Sequence, residues 1–331
     1  MGMPETPDAA TVSLTIPELR DLCIAAITAA GGSPALAQSL ADATVAAERR
    51  GKTAVGTAHL GDYLDGLEAG RINGRAQPKV TNQLPAAHHV DADRGTAQLA
   101  FDAAFDDYAS SVATLGISVL NIANAFTAGE LGHFTTRLAE RGLVAFAGAN
   151  SPALMSLFGA PGSATGTNPF SFAVPHSDGP RMFDQATSAT AWVNVRDAAD
   201  RGETIPDGWA LAPGGAATND AEAALAGSLL PFGGVKGSNV ALMIELLAVH
   251  GGGRFSVDAP AFDSGQESPG TGLFIIAIAA DAFDPDYSQR VAEHLDRLHA
   301  RFGFDFGRKR SLEVVKLPEE LHSALITRSR S

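Results

Sequence analysis

With 331 residues, 45% of them hydrophobic, the chain is long enough to bury a sizeable core and to form two lobes. Its 24 basic and 37 acidic residues leave a formal charge of -13, which repels nucleic acid and anionic membrane and excludes both as expected partners. A single cysteine, Cys23, excludes an internal disulfide and a cysteine-rich metal site, and fits a reducing, cytoplasmic location.

Residues 1–12 are polar and proline-bearing, without a basic segment or an apolar run. They are expected to form a flexible tail, with no signal peptide and no membrane span. Leu14, Ile16, Leu19, Leu22, Cys23 and Ile27 recur at helical spacing until Gly31-Gly32. Ser33-Pro34 opens a second helix that leaves through Glu48-Arg49-Arg50-Gly51, and a third lies around residues 60–67. Residues 78–90 read as loops and short extended pieces, followed by a turn at 91–95. A helix at 99–115, a strand at 116–123, a helix at 131–141 and a strand at 143–147 give a β-α-β rhythm and an α/β core.

Phe170 to Val174 reads as a buried strand between two polar clusters, Thr165-Gly166-Thr167-Asn168 before it and Asp184-Gln185-Ala186-Thr187-Ser188 beyond it. Asp184, Thr187 and Ser188 offer a carboxylate and two hydroxyls within five residues, a set able to hold an amide or a phosphate. Read locally, Asp184 and Ser188 are first of all caps for a helix starting near Ala189. A long ordered loop follows at 202–219. Gly233-Gly234-Val235-Lys236-Gly237 then runs into an apolar helix, where free backbone N–H groups, the positive dipole end and an ammonium converge on one anion. A structural turn with an exposed lysine explains the stretch equally well. A strand at 272–278, a helix at 287–302 and the basic run Arg308-Lys309-Arg310 complete the chain. No G-x-G-x-x-G joins a strand to a helix, so a bound dinucleotide implies a fold other than Rossmann. The histidines show no metal-ligand spacing, and no metal site is expected.

Gly166-Thr167-Asn168-Pro169, Asp184 with Ala186-Thr187-Ser188, Ile205-Pro206-Asp207-Gly208-Trp209, and Leu230-Pro231 with Gly233-Gly234 and Lys236-Gly237 together resemble the type 2 malate/L-lactate dehydrogenase family. The resemblance implies an NAD(P)-dependent oxidoreductase of 2-oxo acids, 2-hydroxy acids or cyclic imino acids, usually a homodimer. It implies a largely antiparallel, non-Rossmann cofactor domain, here 76–284, and a helical domain built from both chain ends, 13–75 and 285–331. Carried over by position, Ser151, Thr167, Asn168, Asp184, Ala186, Thr187, Ser188, Lys236, Gly237, Gly307, Arg308 and Lys309 would contact NADP or NAD. The basic run leans toward the extra phosphate of NADP.

The chain departs from the family at its proton-transfer residues. Where the family pattern reads Arg-Gly-His-x-Ser-His-Gly with an arginine three residues on, this chain has Arg50-Gly51-Lys52-Thr53-Ala54-Val55-Gly56 and then His59. A further family histidine falls on Thr127. Ala54 and Val55 cannot move a proton, which argues against ordinary lactate or malate chemistry. Lys52, His59 or His133 could restore an acid, with His59 ranked first because it lies one helical turn beyond Val55. An iminium substrate, already protonated, needs only a hydride and an orienting group such as Asp184. The expected function is reduction of a small imine or carbonyl compound that is not a standard 2-oxo acid. The alternative is a non-redox enzyme or a cofactor-binding pseudoenzyme on the same scaffold.

Overall fold

The computed structural model describes residues 10–307 and 311–330. Strand β1 (Thr11–Thr15) begins inside the stretch expected as a tail, and Leu14, expected in a helix, pairs with Val315. Helix α1 (Ile16–Ala29) starts where Thr15 and Glu18 form a reciprocal cap, with Pro17 in the first turn. Helix α2 (Pro34–Arg49) is capped by Ser33 and opens on a proline. A turn of 3-10 helix at 53–55 leads to α3 (Thr57–Glu68). Leu19, Cys23, Ile27, Leu36, Leu40, Leu60 and Leu64 make one core that also takes Val315, Leu317 and Leu325 from the far end of the chain.

The centre is a sheet of seven strands. In chain order, β2 (Lys79–Leu84), β3 (Ala87–Asp91), α4 (Ala97–Leu115), β4 (Ile117–Ala125), α5 (Gly132–Glu140), β5 (Leu143–Ala149), β6 (Phe170–Val174) and β7 (Arg181–Gln185) are followed by a smaller lobe. That lobe holds α6 (Trp192–Asp200), β8 (Ala210–Leu211), β9 (Ala217–Thr218), α7 (Ala221–Leu225) and β10 (Ser228–Leu229) around Met155, Val195, Ile205 and Leu229. Next come α8 (Val235–Ala248), β11 (Thr271–Ala279) and α9 (Tyr287–Phe302). Strand β12 (Val314–Pro318) and α10 (Glu319–Arg328) return to the N-terminal helices, where β12 pairs with β1.

The sheet order is β2-β3-β4-β11-β5-β6-β7, and β3 with β4 is its one parallel pair. The β-α-β rhythm of β4, α5 and β5 is present in the chain. Strand β11 nevertheless inserts between the two strands, antiparallel to both, so the sheet is largely antiparallel. Alternation sorts its faces. Ala145, Ala147 and Ala149 join the core under α4 and α5, while Gly148 on the opposite face approaches Ile244 of α8. Among the described residues, no helix is long and apolar enough to cross a membrane.

Candidate active site

The turn between α2 and α3 is organised by one buried carboxylate. Glu48 accepts hydrogen bonds from Thr57 N at 2.8 Å, Thr57 Oγ1 at 2.6 Å and Thr53 Oγ1 at 2.9 Å. Gly56 lies so close that an added Cβ would sit 2.5 Å from Glu48 Oε1, which accounts for glycine there. The turn so held presents Lys52, Ala54, Val55 and, on the first turn of α3, His59 to a cavity of about 470 Å³. The far wall is Ser151, Thr167, Asp184 and Ala186, the upper rim is Trp192, Val193 and Arg196 of α6, and Phe262 closes one side.

A charged cluster stands at the base. Glu130, its side chain 1% exposed, is forked by Arg50, whose Nε lies 3.0 Å from both carboxylate oxygens, and by Lys52 at 3.1 Å. Lys52 Nζ also lies 3.5 Å from the Asp184 carbonyl. Asp184 itself belongs to β7, where it pairs with Ser171, and its Oδ2 accepts the Gly132 N–H at the start of α5 at 2.9 Å. Burial pushes its carboxyl up to about 6, against the opposing pull of Lys52 and the Gly132 hydrogen bond. The expected helix cap is therefore a strand residue facing a pocket; α6 starts later, behind Ala191, with no side-chain cap.

His59 is held on both ring nitrogens. Its Nδ1 lies 2.7 Å from Asp62 Oδ2 and its Nε2 3.4 Å from Thr127 Oγ1, and its ring packs edge-on against Tyr63. His133, one of the three candidate acids, is buried on α5, and desolvation beside Arg137 and Arg50 holds it down at about 3. It stays neutral and is not a proton donor near neutral pH.

The polar shelf divides. Ser151, Thr167, Asp184 and Ala186 line the cavity, whereas the side chains of Asn168, Thr187 and Ser188 turn inward. Asn168 Nδ2 donates to Ala241 O and Glu245 Oε2, Thr187 Oγ1 to Thr167 O at 2.7 Å, and Ser188 Oγ to Thr190 O at 2.6 Å. Lys236 is exposed and, like Gly237, lines neither this cavity nor the next; a Cβ at Gly237 would fall 1.9 Å from Phe232 O, so glycine there serves a tight turn.

A second cavity of about 640 Å³ meets the first at Lys52 and Asp184. Arg49, Arg50, Arg137 and Arg181 line it beside the start of α5, with His133 and Gly307. Among the described residues, His133 Nε2 is buried without a hydrogen-bond partner. Gly307 has φ +60 and packs on β7 so closely that a Cβ would meet Met182 N at 2.3 Å. Arg308 and Lys309 lie outside the described residues. The second cavity carries both signs of charge, since Asp42, Glu140, Asp178 and Asp184 line it with its arginines, and Arg50 and Arg137 are already paired with Glu130 and Asp102. Arg50, Asp62, Glu130, Trp192, Arg196 and Phe262 were not singled out from sequence. Only Asp62 carried a local signal, its i,i+3 spacing from His59 on one helix.

A largely antiparallel sheet beside a helical core drawn from both chain ends, with a cavity lined by residues of each, defines a fold outside the Rossmann class. The chain belongs to the malate/L-lactate dehydrogenase family, whose model matches residues 14–308. It is 36% identical to a Delta(1)-pyrroline-2-carboxylate/Delta(1)-piperideine-2-carboxylate reductase of Pseudomonas putida, over 91% of this chain and 89% of that one. It is 33% identical to a (2R)-3-sulfolactate dehydrogenase (NADP(+)) of Chromohalobacter salexigens, over 94% and 91%. The crystal structure of delta1-piperideine-2-carboxylate reductase from Pseudomonas syringae pv. tomato superposes with a TM-score of 0.89 at 32% identity, covering 96% of this chain and all of that one. These relatives are named reductases or dehydrogenases, which fits the redox reading and not the non-redox alternative. The chain is an oxidoreductase, and its family implies a nicotinamide cofactor.

Proposed function

We propose that the chain is an NAD(P)H-dependent reductase of a small imine or carbonyl compound that is not a standard 2-oxo acid, with a cyclic imine the foremost substrate. The observation that carries this reading is that Ala54 and Val55, at the family's proton-transfer positions, open on the same cavity as Lys52, His59 and Asp184. The place for substrate is kept while the usual acid pair is gone. An iminium nitrogen needs an orienting carboxylate more than an acid, and Asp184 supplies one beside an apolar wall of Val55, Trp192 and Phe262 that suits ring carbons.

When bound, the nicotinamide supplies the hydride. Ser151, Thr167, Asp184 and Ala186 would hold that end. Gly307, with Arg308 and Lys309 by resemblance, would hold the phosphate-bearing end, where the basic run leans toward NADP over NAD. Asn168, Thr187 and Ser188 serve by fixing the backbone beneath Thr167 and Ala186. Lys52, locked to Glu130, keeps a cation at the base of the site, and Lys236 and Gly237 remain candidates for contact with a ligand that reaches the start of α8. A cytoplasmic homodimer acting on a small molecule completes the proposal.

The test is twofold. Trp192 lines the cavity, so NADPH is expected to quench protein fluorescence at micromolar concentration, more tightly than NADH. A panel of cyclic imines, 2-oxo acids and simple ketones is then expected to yield turnover with an imine first. Binding of neither cofactor, or oxidation of NADPH with none of the panel, would sink the reading.

A further inference from the structure

The hydrogen bonds around His59 decide which ring nitrogen carries the proton. Gln98 Nε2 donates to Ala128 O at 2.9 Å and to Tyr63 OH at 3.2 Å. Burial pushes the Tyr63 phenol up to about 12, so it keeps its proton. A carboxylate only accepts, so His59 Nδ1–H donates to Asp62 Oδ2 at 2.7 Å, and Nε2, 3.4 Å from Thr127 Oγ1, is left as the acceptor. Neutral His59 is thereby fixed in one tautomer, with a carboxylate on Nδ1 and with Nε2 beside Thr127, which lines the same cavity.

We infer that His59 and Asp62 form a relocated proton-transfer couple, in which His59 exchanges a proton with the substrate nitrogen and Asp62 is the positioning residue that sets the imidazole's tautomer and angle. The inference deepens the imine-reductase reading and rests on it. Ala54 and Val55 leave the family's own proton-transfer positions empty of acid, and His59, on the first turn of α3 beyond the break at Gly56, lines the same cavity. A carboxylate on Nδ1 with Nε2 facing the reactant is the arrangement in which imidazole works as acid and base. For a neutral imine meeting the imidazolium form of His59, which returns to the neutral tautomer with its proton on Nδ1, the step balances as follows. A hydride from the reduced nicotinamide forms the new C–H bond, the C=N π pair forms an N–H bond with the proton of His59 Nε2, and the Nε2–H bonding pair stays on the ring. The nicotinamide is oxidised, the imine is reduced to an amine, and solvent reprotonates His59. The other charged groups facing the cavity are Lys52 from the α2–α3 turn, Glu130 from the segment before α5, Asp184 from β7 and Arg196 from α6. Lys52 is tied to Glu130, and Asp184 to the Gly132 N–H.

The experiment compares kcat/KM for a reducible cyclic imine across pH in the wild type, D62N, D62E and H59Q. H59Q is expected to lose about 10²-fold or more. D62N is expected to lose less, and D62E to bring the rate back toward the wild type. A D62N profile superimposable on the wild type, or H59Q at full rate, overturns the couple. An inactive wild type would count against the reductase reading instead. In that case ¹⁵N spectra of the wild-type His59 ring decide the couple on their own: a proton on Nδ1 at high pH, displaced in D62N, supports it, and a ring protonated on Nε2 overturns it.

Discussion

The carboxyl of Asp184 is pushed up to about 6 because β7 carries it away from water, and Lys52 and one backbone N–H recover only part of its lost hydration. The consequence for stability has a definite sign. Between the ordinary carboxylate value of 3.8 and about 6 the folded chain binds more protons at this site than the unfolded chain, so stability falls as pH rises through that window. Above it the cost levels off at about 3 kcal/mol, two pKa units' worth. Asp184→Asn keeps an oxygen for the Gly132 N–H and removes the charge. It is expected to stabilise the protein by about 3 kcal/mol at pH 7.5 and by only about 1 kcal/mol at pH 4.5, read by denaturant unfolding at both pH values. A gain that does not grow with pH would show that the carboxylate is not desolvated. The same substitution is expected to slow imine reduction, since a neutral amide cannot balance an iminium charge. A charged group retained at a cost in stability is the pattern of a functional site rather than of a structural ion pair.

Among the elements, α8 shows what glycine and a buried carboxylate do for the site from a distance. Its Glu245 accepts from Ser256 N at 2.6 Å, Ser256 Oγ at 2.7 Å and Asn168 Nδ2 at 2.8 Å, which ties the Thr167 wall to the loop that carries Phe262. The helix can lie there only because Gly237 lets the chain turn against Phe232 O. Gly237→Ala is expected to cost about 3 kcal/mol, toward the upper end for overpacking, measured as a fall in Tm. An unchanged Tm would mean that the turn relaxes freely. Such couplings mark the limit of reading this chain as a sequence. Segments set by their own period, such as Phe170–Val174 and Tyr287–Phe302, were legible to the residue. The place of β11 between β4 and β5 was not, because it is fixed by pairing across some 150 residues of chain and by no local pattern. In the candidate site, His59, Lys52 and Asp184 were singled out from sequence, and the structure brings all three to one cavity. Glu130 was not, since its meaning comes from Arg50 and Lys52, far off in sequence.

At the scale of the whole molecule, the apolar surface left uncovered bears on the proposed homodimer. Helix α9 has no buried residue although Val291, Leu295, Leu298 and Phe302 recur along it at intervals of four, three and four, and α8 leaves Leu242, Met243 and Leu246 exposed. An exposed apolar row on α8 beside a half-buried one on α9 is unusual in a stable monomer, and a second copy of this chain is the occupant that the family resemblance implies. Charge opposes that assembly, because each copy carries -13. Two such copies associate only if apolar burial outweighs the repulsion, and salt shortens the reach of that repulsion from about 30 Å at 0.01 M to about 10 Å at 0.1 M. Sedimentation is therefore expected to give a particle of twice the chain mass whose dissociation constant tightens as salt rises across this range. Leu246→Glu is expected to weaken it at every salt concentration by adding charge to the apolar face. A monomer at all salt concentrations would overturn the dimer, and a dimer that loosens with salt would place the contact on ion pairs instead of on these helices.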